Sequence, residues 1–457
     1  MSRTLVVSIS GIRGIFGAGL DPEVFVRYAS AYGDWVRSQS SAPSVVVGRD
    51  ARVSGPVCAD LVMRTLQSQG IAVIDAGLAT TPTVEMAVLM EKATGGIVLS
   101  ASHNPAEWNA LKLLNSRGEF LPPVDAQRLI DAAGQPDRHW ANWEGLGDVR
   151  TEDYLDRHVE AVCGLDGILP DRIADRDFRV VVDAVNSVGG IALPALLRRL
   201  GVRDEQIVRL HCEPTGRFAH PAEPLPENLT EIIERVGAEG ADLGLVVDPD
   251  ADRLALIADG GVYVSEELTQ VLAADFWWQS HSGPFVTNLS SSRAIEDVAR
   301  RHGQETYRSA VGEINVVEKM KEVGAAIGGE GNGGVILPDL HYGRDALVGA
   351  ALILQRLADT GATLSEWVAE MPTYHMAKTK TNIGSLDPES LLARMADRYR
   401  GERISTVDGV KIDLEEGWVH MRKSNTEPII RVYTEAGSPE AAQAMAARFM
   451  QELLAGG

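Results

Sequence analysis

Residues 248–252, Asp-Pro-Asp-Ala-Asp, set three carboxylates at alternate positions directly after the apolar run LGLVV. Three like charges this close repel unless a cation lies between them. Oxygen-only donors favour a hard ion, magnesium before calcium. A calcium-binding loop does not fit, because the sixth residue from Asp248 is Arg253 and the twelfth is Asp259, where Gly and Glu are required. The alternation reads as extended backbone that turns Asp248, Asp250 and Asp252 toward one point. Arg253 follows the acids at once and is placed to reach a phosphate that shares the ion.

A second loop, SASHNPAEWNALK, follows the apolar run Ile97-Val98-Leu99. A turn needs its Asn and Pro, but not Ser102 or His103. A serine on a loop that meets a metal site is a candidate nucleophile, with the ion balancing charge during transfer. No GxSxG elbow surrounds it, which argues against hydrolase chemistry of that kind. Ser100 belongs to the strand, so Ser102 is the candidate, with His103 as a possible base and Lys112 near enough to assist. A third loop, GGEGNGG at 328–334, offers close backbone approach with Glu330 and Asn332, which suit neighbouring sugar hydroxyls. It lacks the GxxxxGK[ST] pattern of a nucleotide loop. A fourth, RKSNTEPIIR at 422–431, groups Arg422, Ser424, Asn425 and Thr426 on one turn, with Arg431 on the strand that follows. Two guanidiniums with hydroxyl and backbone donors make a phosphate cradle. Taken singly, each of these loops also reads as a plain polar turn.

The elements that must position them recur. SVVVGRD, IAVIDAG and GIVLSAS read as strands separated by helices from about Ser54 and over Thr81–Ala93, with Gly70 ending the first. The pattern returns from FRVVVDAVNS at 178–187 and again from FVTNLSSS at 285–292. Each copy is strand–helix–strand–helix–strand, which implies parallel βαβ units. Each last strand runs into one of the loaded loops, and in open α/β sheets ligands gather beyond the carboxyl ends of strands. Three such loops in register point to domains facing one shared cleft. After residue 371 the pattern changes to strand, polar loop, strand and a closing helix with Ser438 as N-cap and Pro439 at its first position. A looser stretch, 134–147, joins the first and second units.

At 457 residues the chain exceeds the size at which one core stops growing, so several domains are expected. A formal net charge of −21 disfavours nucleic-acid binding, and for an anionic substrate it requires local Arg and Lys to overcome a repulsive field. Cys58, Cys163 and Cys212 are widely spaced and unpaired in pattern, which fits a reducing compartment and no zinc site of paired cysteines. The first residues carry only a short apolar run and no segment is apolar enough to span a bilayer. A cytoplasmic protein without membrane partners is expected.

The four loops, in this order, resemble the α-D-phosphohexomutase family, which includes phosphoglucomutase, phosphomannomutase and phosphoglucosamine mutase. The resemblance runs through SGIRG at 10–14, GRDARVSG at 48–55, ASHNPAEWNALK at 101–112, DPDADR at 248–253, GEGNGG at 329–334 and RKSNTEP at 422–428. It implies three similar mixed α/β domains and a smaller C-terminal α+β domain around a central cleft, divided as 1–150, 151–257, 258–371 and 372–457. It implies a phosphorylated Ser102 and one magnesium ion on Asp248, Asp250, Asp252 and the serine's phosphate. The implied reaction moves phosphate between O1 and O6 of a hexose through a hexose 1,6-bisphosphate, which also serves as activator. Arg13 is implied near the phosphoserine, Lys112 in proton transfer or charge stabilisation, Arg253, Glu330, Asn332 and Gly312 in substrate binding, and the 422–431 loop in gripping the phosphate that is not transferred. A hexose phosphate is the implied partner, and the protein a monomer or homodimer.

Departures from the family pattern matter. Many relatives carry histidine where Gly334 stands and serine where Asn332 stands, so a histidine acid/base is absent there and weight shifts to Lys112, with His341 as a substitute. Ser10 stands for a common Asp, Lys423 for a common Pro and Asn425 for a common Gly, whose left-handed conformation Asn tolerates. GEGNGG, ASHNPAEWNALK and HPAEPLPENL at 220–229 most resemble the archaeal-type phosphoglucosamine mutases and the bifunctional phosphogluco/phosphomannomutases, which leans the substrate toward glucosamine phosphate. The rival readings are a metal-dependent sugar phosphatase and a non-catalytic phosphosugar-binding protein.

Overall fold

Val45, Val46 and Val47 form an uninterrupted apolar run because their strand is covered on both faces. In the computed structural model, which describes residues 4–384, 386–423 and 429–455, the strand Ser44–Arg49 lies in parallel between Ala72–Leu78 and Gly95–Leu99. Val45, Val47, Ile97 and Leu99 pack on Phe25, Tyr32, Val62 and Leu66 of the helices Pro22–Gln39 and Gly55–Ser68. Val46 and Val98 point the other way, onto Val84 and Val88 of the helix Thr81–Glu91. Side chains that alternate across a pleat therefore feed two cores from one strand.

The same strand order occurs three times. Val180–Asp183 lies between Ile207–Leu210 and Leu243–Val247, and Phe285–Asn288 lies between Thr306–Ser309 and Ile327–Glu330. In every copy the first strand is central, the second flanks one side and the third the other, all parallel and joined through helices. The three loaded loops leave, or begin at, the carboxyl end of the third strand. Three similar mixed α/β repeats and a C-terminal α+β region are the architecture expected from the sequence.

The chain divides into two compact units. One holds the residues up to Ser280 together with Asn332–Ala369. Its first sheet is extended by the antiparallel strands Trp108–Leu114, Gly11–Ile15 and Val6–Ser8 and by the parallel edge strand Val149–Thr151. Its second sheet is extended by Leu254–Ala258 and Val262–Val264. The other unit holds His281–Gly331 and the chain from Glu370 onward. Besides the third repeat it contains an antiparallel sheet in the order His375–Asn382, Ile429–Ala436, Gly417–Lys423, Val410–Asp413 and Arg403–Ser405. The helices Pro388–Arg398 and Pro439–Leu454 cover it through Leu391, Met395, Met445 and Phe449. Ser438 caps the last helix by accepting the N–H of Ala441 at 3.2 Å, with Pro439 at its first position. Among the described residues no helix is long and apolar enough to cross a membrane.

Candidate active site

Ser102 lies on the loop between the strands Gly95–Leu99 and Trp108–Leu114, in the left-handed conformation at φ 48°. Such a conformation costs an L-residue about 1–2 kcal/mol, so the loop must be held from outside. Arg52 does this. Its side chain is fully buried and spends its five N–H donors on five groups. Nε reaches Oδ2 of Asp50 at 2.9 Å, Nη2 reaches the carbonyls of Ser102 at 2.6 Å and Asn104 at 2.8 Å, and Nη1 reaches those of Trp108 at 2.9 Å and Pro105. Asp50 also accepts from Ser100 Oγ at 2.7 Å, and Ser100 Oγ accepts the N–H of Ser102 at 3.0 Å. GRDARVSG contains Asp50 and Arg52, but nothing in its local pattern says that Arg52 grips a loop 50 positions away.

The three aspartates do meet. One carboxylate oxygen from each of Asp248, Asp250 and Asp252 lies within 4.8 Å of the others, and all three are buried. They meet through a tight turn and not through extended backbone: Ala251, at φ 53°, reverses the chain between the second and third acid. Thr81 fixes that turn by donating its N–H to the Asp250 carbonyl at 2.9 Å and its hydroxyl to Oδ2 at 2.5 Å. Ser187 donates to the Pro249 carbonyl at 2.6 Å. Oδ1 of Asp250 and Oδ1 of Asp252 are buried and accept no hydrogen bond among the described residues. Burial together with the charges of Asp252 and Asp250 pushes the Asp248 carboxyl well above the usual carboxylate range. Converging all-oxygen donors with two unpaired buried oxygens fit a small hard divalent cation.

The two loops touch at their reactive groups, where the Ser102 hydroxyl donates to Oδ2 of Asp248 at 2.5 Å. Nδ1 of His103 lies 3.4 Å from the same hydroxyl. The Arg253 charge, burial and the charges of Arg13 and Arg344 hold His103 well below the usual imidazole range, so it is neutral. Lys112 places Nζ 2.5 Å from Asp250 and 3.7 Å from Asp252. Burial works against its charge, yet the two aspartates keep its pKa above the ordinary value, so Lys112 is a fixed cation. Arg253 has Nε 3.8 Å from Asp252 and 4.0 Å from Asp248. Arg13, Lys112, Arg253 and Arg344 thus supply the local positive charge that a chain of net charge −21 needs beside an anionic substrate.

Arg344 was not singled out by sequence, although it stands in HYGRD. It reaches Oδ2 of Asp252 at 2.6 Å. His341, three residues earlier, is instead committed elsewhere. Its ring is buried between Glu85 at 3.3 Å and Asp345 at 3.2 Å. Asp345 in turn accepts from His158 at 2.8 Å and caps the helix Ala346–Thr360. Asn332 shapes its own turn, with Oδ1 accepting the N–H of Gly334 at 3.2 Å.

The remaining sequence candidates belong to the other unit. Glu330 is buried at the end of its strand and accepts from Asn288 Nδ2 at 2.8 Å and from the N–H of Gly312 at 3.2 Å, which brings two of the expected substrate contacts together. Arg422 and Arg431 are directly opposed on neighbouring antiparallel strands, and Arg422 pairs with Asp408 at 3.3 Å. Ser424, Asn425 and Thr426 lie outside the described residues. His420, which sequence reasoning passed over, donates from Nε2 to the Asp408 carbonyl at 2.6 Å and accepts at Nδ1 from Ser290 Oγ at 2.8 Å, and burial lowers its pKa to about 4.

Models of the four phosphoglucomutase/phosphomannomutase domains match the chain in order: α/β/α domain I over residues 5–138, domain II over 152–261, domain III over 265–374 and the C-terminal domain over 378–452. The chain is 38% identical over 438 residues to a phosphoglucomutase/phosphomannomutase of Thermococcus kodakarensis, covering 95% of each chain. It is 34% identical to a protein of Methanopyrus kandleri described as a "probable phosphoglucosamine mutase", covering 96% of each. Among solved structures, a phosphoglucomutase/phosphomannomutase family protein of Burkholderia thailandensis superposes with a TM-score of 0.84 at 27% identity over 99% of both chains.

Proposed function

The chain belongs to the phosphoglucomutase/phosphomannomutase family, a family of phosphohexomutases, and from that premise we propose that it interconverts hexose 6-phosphate and hexose 1-phosphate with Ser102 as phosphate carrier. The observation that carries the reading is the 2.5 Å contact between the Ser102 hydroxyl and Asp248, which joins the nucleophile to the acidic cluster. The bond between Ser102 Oγ and phosphorus breaks as a bond from a sugar hydroxyl oxygen to phosphorus forms, and the proton lost by the sugar hydroxyl passes through a base to the departing Ser102 Oγ. The hexose 1,6-bisphosphate then presents its other phosphate, which returns to Oγ by the reverse step.

Neutral His103 is the proton acceptor that the geometry supports, and Lys112 acts through its charge. Arg13, Arg253 and Arg344 would meet phosphoryl oxygens, for which planar guanidiniums are suited. Asp248, Asp250 and Asp252 would hold magnesium, which when bound would neutralise charge on the transferring phosphoryl group. Glu330, Gly312 and Asn332 are assigned to the sugar, and Arg422, Ser424, Asn425, Thr426 and Arg431 to the phosphate not in transit. The same reading divides the chain into domains 1–150, 151–257, 258–371 and 372–457.

The resemblance of the loop motifs leans the reading toward glucosamine 6-phosphate as substrate. The name of the relative at 38% identity favours a second reading, glucose and mannose phosphates. Phosphorus NMR of the protein with magnesium, a trace of hexose 1,6-bisphosphate and each 6-phosphate in a separate tube decides between them. A growing 1-phosphate signal is expected, fastest for the true sugar. Release of inorganic phosphate instead would make the protein a phosphatase.

A further inference from the structure

Asp183 ends the central strand of the second repeat with its side chain 1% exposed. Its Oδ2 lies 3.3 Å from Nδ1 of His211 and 3.2 Å from Nε2 of His220. The three donor atoms lie within 4.8 Å of one another. Each ring's other nitrogen is already engaged. Nδ1 of His220 is 2.8 Å from the Pro221 carbonyl, which can only accept, so that nitrogen carries a proton. Nε2 of His211 faces the Glu231 carboxylate at 3.4 Å, which draws the proton to that side. In the neutral rings, the nitrogens facing Asp183 are then lone-pair donors, and three such donors converge on one point.

Metal-ligating histidines characteristically give their outer N–H to a carbonyl or carboxylate; His220 does so to the Pro221 carbonyl, and His211 turns its outer nitrogen to the Glu231 carboxylate. The spacing agrees. Two ligand bonds of about 2.0–2.1 Å at a tetrahedral angle hold their donor atoms about 3.3 Å apart, whereas a charge-assisted N–H···O bond contracts to about 2.7–2.9 Å. Two imidazoles with one carboxylate select a borderline ion of the zinc class over magnesium. We propose that Asp183, His211 and His220 form a structural site for a zinc-class divalent cation, chemically distinct from the carboxylates at 248–252, with water in the fourth position.

The loop it closes lies directly behind the serine loop's anchor. Gly216, at φ 67°, packs so tightly that a Cβ would stand 1.9 Å from the Ala51 carbonyl oxygen. The Phe218 ring lies 5.0 Å from the Arg52 guanidinium carbon. A cation at 183, 211 and 220 fastens this loop at both ends. Cys212 takes no part, because its Sγ is turned to the carbonyls of Leu210 at 3.3 Å and Val182 at 3.5 Å.

The test uses the full chain, stripped with a chelator and titrated with Co2+ in excess magnesium. Tetrahedral cobalt with nitrogen ligands absorbs strongly in the visible, while octahedral oxygen-bound cobalt absorbs weakly. One equivalent of strong absorption is expected, abolished by Zn2+, by His211→Ala and by His220→Ala, and retained in Asp250→Asn. Zn2+ should also raise the Tm of the stripped wild-type protein by several degrees and that of the two histidine variants by none. Both histidines are partly exposed, so those variants are the ones expected to fold. Absence of the band, or its survival in His220→Ala, overturns the site. So does a wild-type Tm that falls between pH 6 and 8 while showing no response to Zn2+, since protons alone would then join the two rings to Asp183.

Discussion

A Cβ on residue 334 would stand 2.3 Å from Cδ of Arg344, so glycine is what lets that side chain cross to Asp252. The position where the family resemblance leads one to expect histidine is here the floor under an arginine. Gly334→His should therefore displace Arg344 without adding a working base. Like Arg344→Ala, it should lower kcat/KM about 100-fold, the scale for losing one positioned electrostatic group. The double variant should be no worse than either single one. Raised activity in Gly334→His would show that the histidine and not the arginine belongs there.

Arg52→Lys keeps the charge and loses the fork. Lysine's three donors cannot serve five acceptors. We expect urea unfolding to show a loss of about 2–6 kcal/mol, the scale for stranding two buried acceptors at about 1–3 kcal/mol each, together with a fall in kcat larger than the rise in KM. A loss within 1 kcal/mol would mean that the loop is held by something other than Arg52.

Ser102→Ala should lose turnover by several orders of magnitude while still binding hexose phosphate in calorimetry. Ser102→Gly should be equally inactive yet more stable than Ser102→Ala by about 1 kcal/mol, because glycine adopts φ 48° without strain. Near-normal turnover in either variant would remove Ser102 from the mechanism.

Chelation should abolish mutase activity, and magnesium should restore it. Asp250→Asn should resist restoration and also free Lys112, whose closest partner is Asp250 at 2.5 Å. Full activity in excess chelator would exclude a divalent ion at 248–252.

His341 sets a pH dependence of stability. Burial opposes its charge, but the hydrogen bond to Asp345 and the carboxylate of Glu85 beside it raise its pKa from 6.5 to about 10. A raised folded-state pKa contributes stability that is complete below about pH 6.5 and is lost as pH climbs toward 10. Wild-type Tm should fall across that window more steeply than that of His341→Gln. Equal slopes would mean that the imidazolium contributes nothing.

What the sequence disclosed was whatever chemistry is local. Ser102 and the three aspartates, which the fold does bring together, each sit within a few residues of the strand end that positions them, so pattern alone pointed to them, and the threefold repeat was legible because every copy is built from short consecutive elements. Long-range partners left no local trace: Arg52 grips carbonyls about 50 positions on, and Arg344 meets an aspartate 92 positions back. The extended reading of 248–252 failed at Ala251, whose left-handed backbone nothing in its residue type announces. His341 suggested an acid by type and neighbourhood, but Glu85, far away in sequence, claims it.

The saturation of Arg52 reaches into how this loop can vary over evolution. Four of the five donors of one guanidinium are matched to backbone carbonyls at fixed counts along the chain, from Ser102 to Trp108. Adding or deleting one residue in that span would strand at least one buried donor, at about 1–3 kcal/mol. Changing the side chains of Ala106 or Glu107, which give Arg52 nothing, would strand none. The segment is therefore tolerant in spelling and intolerant in length, which makes it readable by its spacing even where its letters drift.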